Sequence, residues 1–575
     1  METMKSMSRA VGAGEPRGNR MSHMMSANEG PMDIIAKISG HVKNGIREDD
    51  GPYFTNNEGI PLPDPEHSKT IGGIPIASDV HLFQKQQHFN RSKLAERAVH
   101  PCGSGAFGYF ETTADVSDMT RADFLQHVGA KTPIFMRFST VTLGREFPDE
   151  ARNPRGFAIK FYTGEGNYDI VGLNFPVFFC RDPIQGPDVI RSQARNPKNF
   201  FLDYDATFDL LGATPEGNHA GLMFFSDHGT PDGWINEHGY GCHAFKWVNK
   251  KGEFVYIKYH FLAKHGQKQL TEPEAIRISG ENPDYSKMQL WDAIEAGEEV
   301  EWTAKVQVMK PEEADAEKLG FDPFDVTKVW PRKEFPMHEF GKLVLNKNPE
   351  NYQRDVEQAA FSPGSMVPGI EDSPDPLLQF RMFFYRDAQR EPPSDPSQLP
   401  IHVRLLVFPE LRRGDASGCE SRREQAIRAK LVHGRQVPAR RSRSTVQSLR
   451  QRRLPQEPLH HEGKMSEYDQ PRDLYRNVMT EQARKNLHHN TAKMLSHVNY
   501  PMIQQQYLAQ IYNIAPEYAR GVYDLTTFKH KQPFEFSEVE AMSEQAPLFF
   551  KHVKFRPSQG NRLVGFAPDA PFYNV

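Results

Sequence analysis

Between residues 130 and 265 the apolar positions fall in short runs separated by glycine- and asparagine-bearing turns, the pattern of a sheet with tight connections. The stretch from Thr132 to Val141 predicts the first strand. Phe157 to Thr163 and Tyr168 to Val171 flank Gly164-Glu-Gly-Asn167, a hairpin signal. Phe175 to Cys180 and Gly221 to Ser226 read as two further strands. His243 to Val248 and Glu253 to Phe261 form a second hairpin around Asn249-Lys-Lys-Gly252, and Glu301 to Met309 adds another strand. So many strands in one stretch predict a sandwich or a closed barrel. Residues 265–300 read as helix and loop. Helical periodicity returns from Asp473 to Leu487 and from Tyr507 to Tyr523, predicting a small C-terminal helical region.

At 575 residues the chain can bury a substantial core in one or two domains. It has no run of about 18 apolar residues, so no membrane span is expected. The first thirty residues, rich in Met, Gly and Ser and without an apolar segment, read as a disordered tail and not as a signal peptide. Four cysteines (Cys102, Cys180, Cys242, Cys419) with no CxxC pattern suggest a reducing compartment and no disulfide framework. The net charge of -4 argues against a general affinity for nucleic acid.

The candidate chemistry lies in three places. His100 follows Ala98-Val99, Ser139 lies in Arg137-Phe-Ser-Thr-Val141, and Arg381 precedes Tyr385 by four residues. Taken singly each is bland. A lone histidine is more often structural than catalytic, and a strand hydroxyl usually bonds nearby backbone. An i,i+4 arginine–tyrosine pair can be an ordinary surface contact worth a few tenths of a kcal/mol. Gly103-Ser-Gly105-Ala-Phe-Gly108 fits the dinucleotide pattern GxGxxG, but Tyr109-Phe-Glu-Thr-Thr after it has strand character where that fingerprint requires a helix.

Their weight comes from occurring together in a longer pattern. Glu96-Arg-Ala-Val-His100-Pro-Cys-Gly-Ser-Gly-Ala-Phe-Gly-Tyr-Phe-Glu111 resembles the distal histidine segment of the haem catalases. Arg152-Asn-Pro-Arg-Gly-Phe157, Glu165-Gly-Asn-Tyr-Asp-Ile-Val-Gly172, Phe225-Ser-Asp-His-Gly229 and Gly239-Tyr-Gly-Cys-His243 continue the resemblance. So do Phe321-Asp-Pro-Phe-Asp-Val-Thr-Lys-Val-Trp-Pro331, Gly341-Lys-Leu-Val-Leu-Asn346 and the Arg381–Tyr385 segment. It spans roughly residues 70–395 and resumes near Asp469-Gln-Pro-Arg-Asp-Leu-Tyr475.

The resemblance implies an α+β catalase fold: an eight-stranded antiparallel β-barrel with an N-terminal arm, a wrapping segment and C-terminal helices, assembled as a homo-oligomer (dimer or tetramer). It implies haem b, with Tyr385 as iron ligand and Arg381 as its charge partner. A tyrosine holds its proton up to a pKa of about 10, so ferric iron and a guanidinium would together favour the phenolate; tyrosinate is the axial haem ligand of catalases. By position His100 resembles the distal acid/base and Ser139 its orienting partner. Arg97 and Arg137 resemble propionate contacts, Val99 adjoins the ring and Phe178 packs on its distal face. Many relatives bind NADPH beside Val-Trp-Pro-His; here Val329-Trp330-Pro331 runs into Arg332, whose charge suits a phosphate but breaks the pattern.

Three substrate-channel positions depart from the family. Leu173 falls where the catalytic asparagine is expected, and its neighbour Asn174 would point to the opposite face of a strand. Asn153 replaces the channel aspartate, and Gly186 replaces an aromatic residue before Pro187. Together they shift the expected reaction toward a haem oxidoreductase using a reactive oxygen species, peroxide or superoxide, on an organic substrate. The catalase-like chanoclavine synthase of fungal ergot alkaloid biosynthesis and coral allene oxide synthase have this character. Ordinary hydrogen peroxide dismutation is the alternative, and a haem-binding pseudoenzyme is a third.

From Arg404 to Arg453 there are fourteen Lys or Arg against four Asp or Glu, leaving the remainder of the chain near -14. With Phe408 as its single aromatic residue, this stretch lacks the stacking groups of a nucleic-acid site. The resemblance stops near Ile401 and returns near Tyr468, as a misread frame or retained intron would produce. The expected organisation is a tail (1–30), an arm with the histidine segment (31–129), barrel and ligand helix (130–395), an anomalously basic wrapping segment (396–465) and a C-terminal helical region (466–575). The C-terminus, Phe572-Tyr-Asn-Val575, is not an SKL-type address, and an intracellular site, cytoplasmic or peroxisomal, is expected.

Overall fold

The computed structural model describes residues 65–90, 96–389 apart from 197, 465–528 and 534–548, with a few positions near 56–62 and the pair Glu457–Pro458. Two compact units divide the chain: Met1–Pro65 with Pro547–Val575, and Glu66–Ala546. In the first, the Asn56 carboxamide accepts from the backbone of Glu58 and Ile60 and closes a turn. The second holds all the elements named below. The basic stretch Arg404–Arg453, Cys419 and most of the expected wrapping segment lie outside the described residues.

The strands of the large sheet are β1 (Gly103–Thr112), β2 (Lys131–Thr140), β3 (Arg155–Thr163), β4 (Gly166–Leu173), β5 (Gly239–Tyr240), β6 (Phe245–Val248), β7 (Phe254–Ala263), β8 (Val300–Met309), β9 (Met337–Lys347) and β10 (Ile370–Asp372). All pairings are antiparallel. The ring runs β1–β2–β3–β4–β5–β7–β8–β9 and closes where β9 pairs with β1, so eight strands form a barrel; β6 and β10 extend it beside β7. The first barrel strand therefore lies inside the 31–129 stretch, ahead of the expected boundary at 130.

Period-2 alternation sorts the side chains of each strand onto two faces. Ile134, Met136 and Phe138 of β2, Phe157, Ile159 and Phe161 of β3, and Tyr168 and Ile170 of β4 fill the barrel with Trp234, Trp247 and Trp302. The alternate positions, Phe135 and Val171 with Ala158 and Phe107, join a second apolar cluster with Val356, Ala359, Phe361 and Tyr385. Both faces are buried, which is why these strands read as nearly continuous apolar runs.

Two expected strands are corrected. Gly221–Ser226 lies largely within a helix, α4 below (Asn218–Phe225), every residue of which is buried. A short apolar run has the same pattern in a buried helix as in a buried strand. Phe175–Cys180 is irregular and forms no ladder. Strand β9 had no sequence expectation. The longer helices are α1 (Val80–Asn90), α2 (Gly186–Ser192), α3 (Tyr204–Ala213), α4, α5 (Glu272–Glu281), α6 (Tyr285–Glu295), α7 (Pro376–Ala388), α8 (Glu481–Leu495), α9 (Pro501–Ile514), α10 (Pro516–Leu525) and α11 (Phe536–Ser543). The architecture is α+β. Among the described residues no helix is long and apolar enough to cross a membrane, and Cys102, Cys180 and Cys242 are buried, unpaired thiols.

Candidate active site

The outer face of β2, β3 and β4 carries one half of the site. Ser139, Gly156 and Leu173 are cross-strand partners in one row, and directly opposed residues point to the same side. His100, two residues before Cys102 and the start of β1, stands over this row with its Nδ1 2.9 Å from the Ser139 Oγ. Its backbone is left-handed, with φ of +62°, a conformation that costs a non-glycine residue on the order of 1–3 kcal/mol. Two bonds hold it there: the His100 N–H donates to the Val141 carbonyl at 2.8 Å, and Arg137 Nη1 donates to the His100 carbonyl at 2.9 Å. Burial, reinforced by Arg137, Arg381 and Arg97, pushes the imidazole down to about 3, so the ring is neutral near pH 7. In the tautomer whose Nδ1–H donates to Ser139, Nε2 keeps its lone pair.

Gly156 makes this contact sterically feasible. A Cβ there would lie 2.4 Å from Ser139 Oγ and 2.6 Å from His100 Nδ1. Gly156→Ala is expected to break the pair and destabilise the fold by about 1–3 kcal/mol, read as a lower Tm; an unchanged Tm would show that the row has slack.

Leu173, 5% exposed, completes the row with an apolar side chain. Asn174 does not share that face. Its Oδ1 accepts from the Arg155 N–H at 2.8 Å and its Nδ2 donates to the His228 carbonyl at 3.1 Å, so both ends of the amide are engaged. Both ends of the Asn153 amide are likewise engaged: Oδ1 accepts from the Val141 and Thr142 N–H groups, and Nδ2 donates to Thr142 Oγ1. An aspartate could not make that last donation. Gly186 opens α2, and a Cβ there would meet nothing within 4 Å. Phe178 and Val99 are half-buried, and the Phe178 N–H donates to the Val326 carbonyl.

The second half rests on α7. Asp375 caps the helix by accepting from the Leu377 and Leu378 N–H groups. Its other oxygen lies 2.6 Å from His243 Nδ1, while His243 Nε2 lies 2.6 Å from Arg381 Nη1. Arginine has only donors, so Nε2 accepts and Nδ1 carries the proton donated to Asp375. Arg381 Nη2 in turn donates to the Tyr385 hydroxyl oxygen at 2.8 Å. A carboxylate, an imidazole and a guanidinium thus form one hydrogen-bonded chain that ends on the Tyr385 oxygen.

One strand joins the halves. Arg381 Nη2 also donates to the Val171 carbonyl, and Val171 lies in the Tyr385 cluster. Leu173 is two residues further on the same face, roughly 6.6 Å along β4. Beside them Arg97 Nη2 and Arg137 Nε both donate to the Val356 carbonyl. Burial, then the charge of Arg137, lowers Arg97 to about 9, and its buried Nε lacks a partner. Arg137 is buried and Arg97 half-buried, with the Glu357 carboxylate within electrostatic reach of both, and the pair offers two guanidiniums to one carboxylate. An apolar outer face, a charge-supported phenol and this cationic pair together suit a flat iron cofactor with carboxylate arms.

A catalase family profile matches residues 55–419, and one described as catalase-related immune-responsive matches residues 461–526. The chain belongs to the catalase family. The catalase of Methanosarcina barkeri is 50% identical over 337 residues, 58% of this chain and 66% of that protein. The peroxisomal catalase of Toxoplasma gondii is 39% identical over 484 residues, covering 82% and 94%. The structure of catalase A from Saccharomyces cerevisiae superposes with a TM-score of 0.65 at 36% identity, covering 84% of this chain and 99% of that one. Membership of the catalase family implies haem and makes the chain a peroxide-handling haem oxidoreductase.

Motif and spacing point to His100, Ser139, Arg381 and Tyr385, and the structure pairs His100 with Ser139 and Arg381 with Tyr385. Asp375 carries only the helix-start signal of its place before Pro376, and His243 is marked only as part of a motif. Gly156 was visible only as part of a motif.

Proposed function

We propose that this catalase-family chain oxidises an organic substrate with a peroxide-level oxidant, with hydrogen peroxide dismutation as a weaker activity. Leu173 carries the reading: the position facing His100 is apolar, and Asn174 is engaged elsewhere. Tyr385 would ligate the iron, supported by Arg381, and Arg97 and Arg137 would pair with the propionates, with Val99 and Phe178 against the ring. The bound haem would supply the redox-active iron. His100 Nε2 takes a proton from peroxide and returns it to the departing oxygen, a shuttle worth about 10²–10⁴ in rate, while Ser139 holds the ring in place. Gly186 leaves room for a substrate larger than peroxide. Oxidative cyclisation of an alkaloid precursor is one reaction of this class.

The proposal includes a homo-oligomer, dimer or tetramer, with small-molecule partners. An intracellular site, cytoplasmic or peroxisomal, is part of the proposal, and relatives named peroxisomal catalase, from Candida albicans and Toxoplasma gondii, favour the peroxisome. NADPH near Arg332 is a secondary cofactor proposal. Ordinary dismutation is the second reading, favoured by the His100–Ser139 contact and by relatives named catalase. Oxygen evolution per haem, measured beside an ordinary catalase, separates the two. A comparable rate overturns the organic-substrate reading, and a rate lower by orders of magnitude supports it.

The state of His100 has a pH consequence. Its folded value, about 3, lies below its unfolded one. Its contribution to stability is therefore present above about pH 6.5 and fades as pH falls toward the folded value. The His100-dependent rate is expected to be flat from about pH 5 to pH 8. An inflection at the ordinary histidine value would show that burial and the arginines do not hold the ring neutral.

A further inference from the structure

Inside one end of the barrel, on the opposite side of the sheet from His100, lies a second polar group. Arg155 opens β3, and strand alternation turns its side chain inward while Gly156 faces outward. Its guanidinium sits 5.9 Å over the Trp234 ring, Glu150 and Glu237 both feel its charge, and Glu237 also feels that of Glu150. Arg155, Trp234 and Glu237 are fully buried, and Glu150 is 1% exposed. Nη1 and Nη2 of Arg155 donate to the Asn153 and Asp149 carbonyls, and Ser286 donates to Glu150 Oε1.

Six buried polar atoms here have no partner: Arg155 Nε, Trp234 Nε1, Asn236 Oδ1, Glu150 Oε2 and both oxygens of Glu237. Two are donors and four are acceptors. The charges do not balance either, since one guanidinium faces two carboxyl groups. Of the surrounding ionisable groups, Asp149 is paired with Lys287 at 2.5 Å and Asp232 accepts from the Tyr285 hydroxyl at 2.9 Å, so neither neighbour offers a second positive charge. A buried carboxylate without a counter-charge takes a proton instead. That proton converts one acceptor into a donor, and each water would add two more donors.

We propose that Glu150, Glu237, Arg155, Trp234 and Asn236 form an internal site that binds ordered water, with one of the two glutamates holding a proton. Burial raises Glu150 to about 7 and Glu237 well above the ordinary carboxylate range, in keeping with that geometry.

The test is infrared spectroscopy of the full-length protein with 13C-labelled glutamate at pH 7, together with a crystal structure at a resolution that shows internal water. A protonated-carboxyl stretch that moves with the label and is lost in Glu237→Gln or Glu150→Gln, with ordered water among these side chains, is the expected result. The labelled wild-type spectrum stands by itself if a variant does not fold. Absence of that stretch, its persistence in both variants, or side chains closed on one another without water would overturn the proposal. Stability should also fall as pH rises above the ordinary glutamate value, because the unfolded chain releases this proton first; Glu150→Gln and Glu237→Gln should each flatten that slope.

Discussion

Tyr385→Phe is expected to purify without stably bound haem, or with haem whose absorption spectrum differs from that of the wild type. The reason lies in where the charge converges. Asp375 orders His243, His243 accepts from Arg381, and Arg381 donates to the Tyr385 oxygen. Phenylalanine keeps the ring in its apolar cluster with Phe135 and Val171 and removes only the atom on which the relay ends. Arg381→Leu tests the support separately: losing a group that orients a metal ligand typically costs 10–100-fold in metal affinity, with the phenol still present. The haem-to-protein ratio and the spectrum are the measurements. An unchanged spectrum in Tyr385→Phe would exclude Tyr385 as the ligand.

Leu173→Asn is expected to raise oxygen release from hydrogen peroxide by about 10²-fold, the scale on which a preorganised polar donor acts at a reacting oxygen. The substituted side chain would lie in the row of Ser139 and Gly156, facing His100. Because the position is buried, an amide that finds no partner there costs about 1–3 kcal/mol. Tm must therefore be followed beside the rate, which is measured per haem so that stability and chemistry are read apart. No change in oxygen release would sink the claim that this position limits dismutation. A gain in dismutation with a loss of organic oxidation would connect both activities to one side chain.

Much of the barrel was legible from local pattern. The strands from Thr132, Phe157, Tyr168, Glu253 and Glu301 are found at β2, β3, β4, β7 and β8 with their ends shifted by a few residues, because alternation and turn chemistry are local signals. The pattern of Gly221–Ser226 fits a strand equally well, because five apolar residues in a row carry no period to distinguish ladder from buried helix. Phe175–Cys180 failed for a different reason: its β-forming residues find no neighbouring strand, and strand preference expresses a fit to neighbours rather than a property of the segment.

At the site, residue types and spacing along the chain were sufficient for the Arg381–Tyr385 pair, since four residues on a helix share a face. Membership of a known pattern pointed to His100 and Ser139. What the linear order could not specify is which contacts close over long separations. His243 reaches Asp375 across 132 residues and Arg381 across 138, and neither pairing leaves a local trace. Alternation says that Phe138 and Ser139 face opposite ways; only closure of the ring decides which face lines the barrel and which carries the site. With both faces buried, no difference in polarity marks inside from outside, so that choice belongs to the tertiary structure.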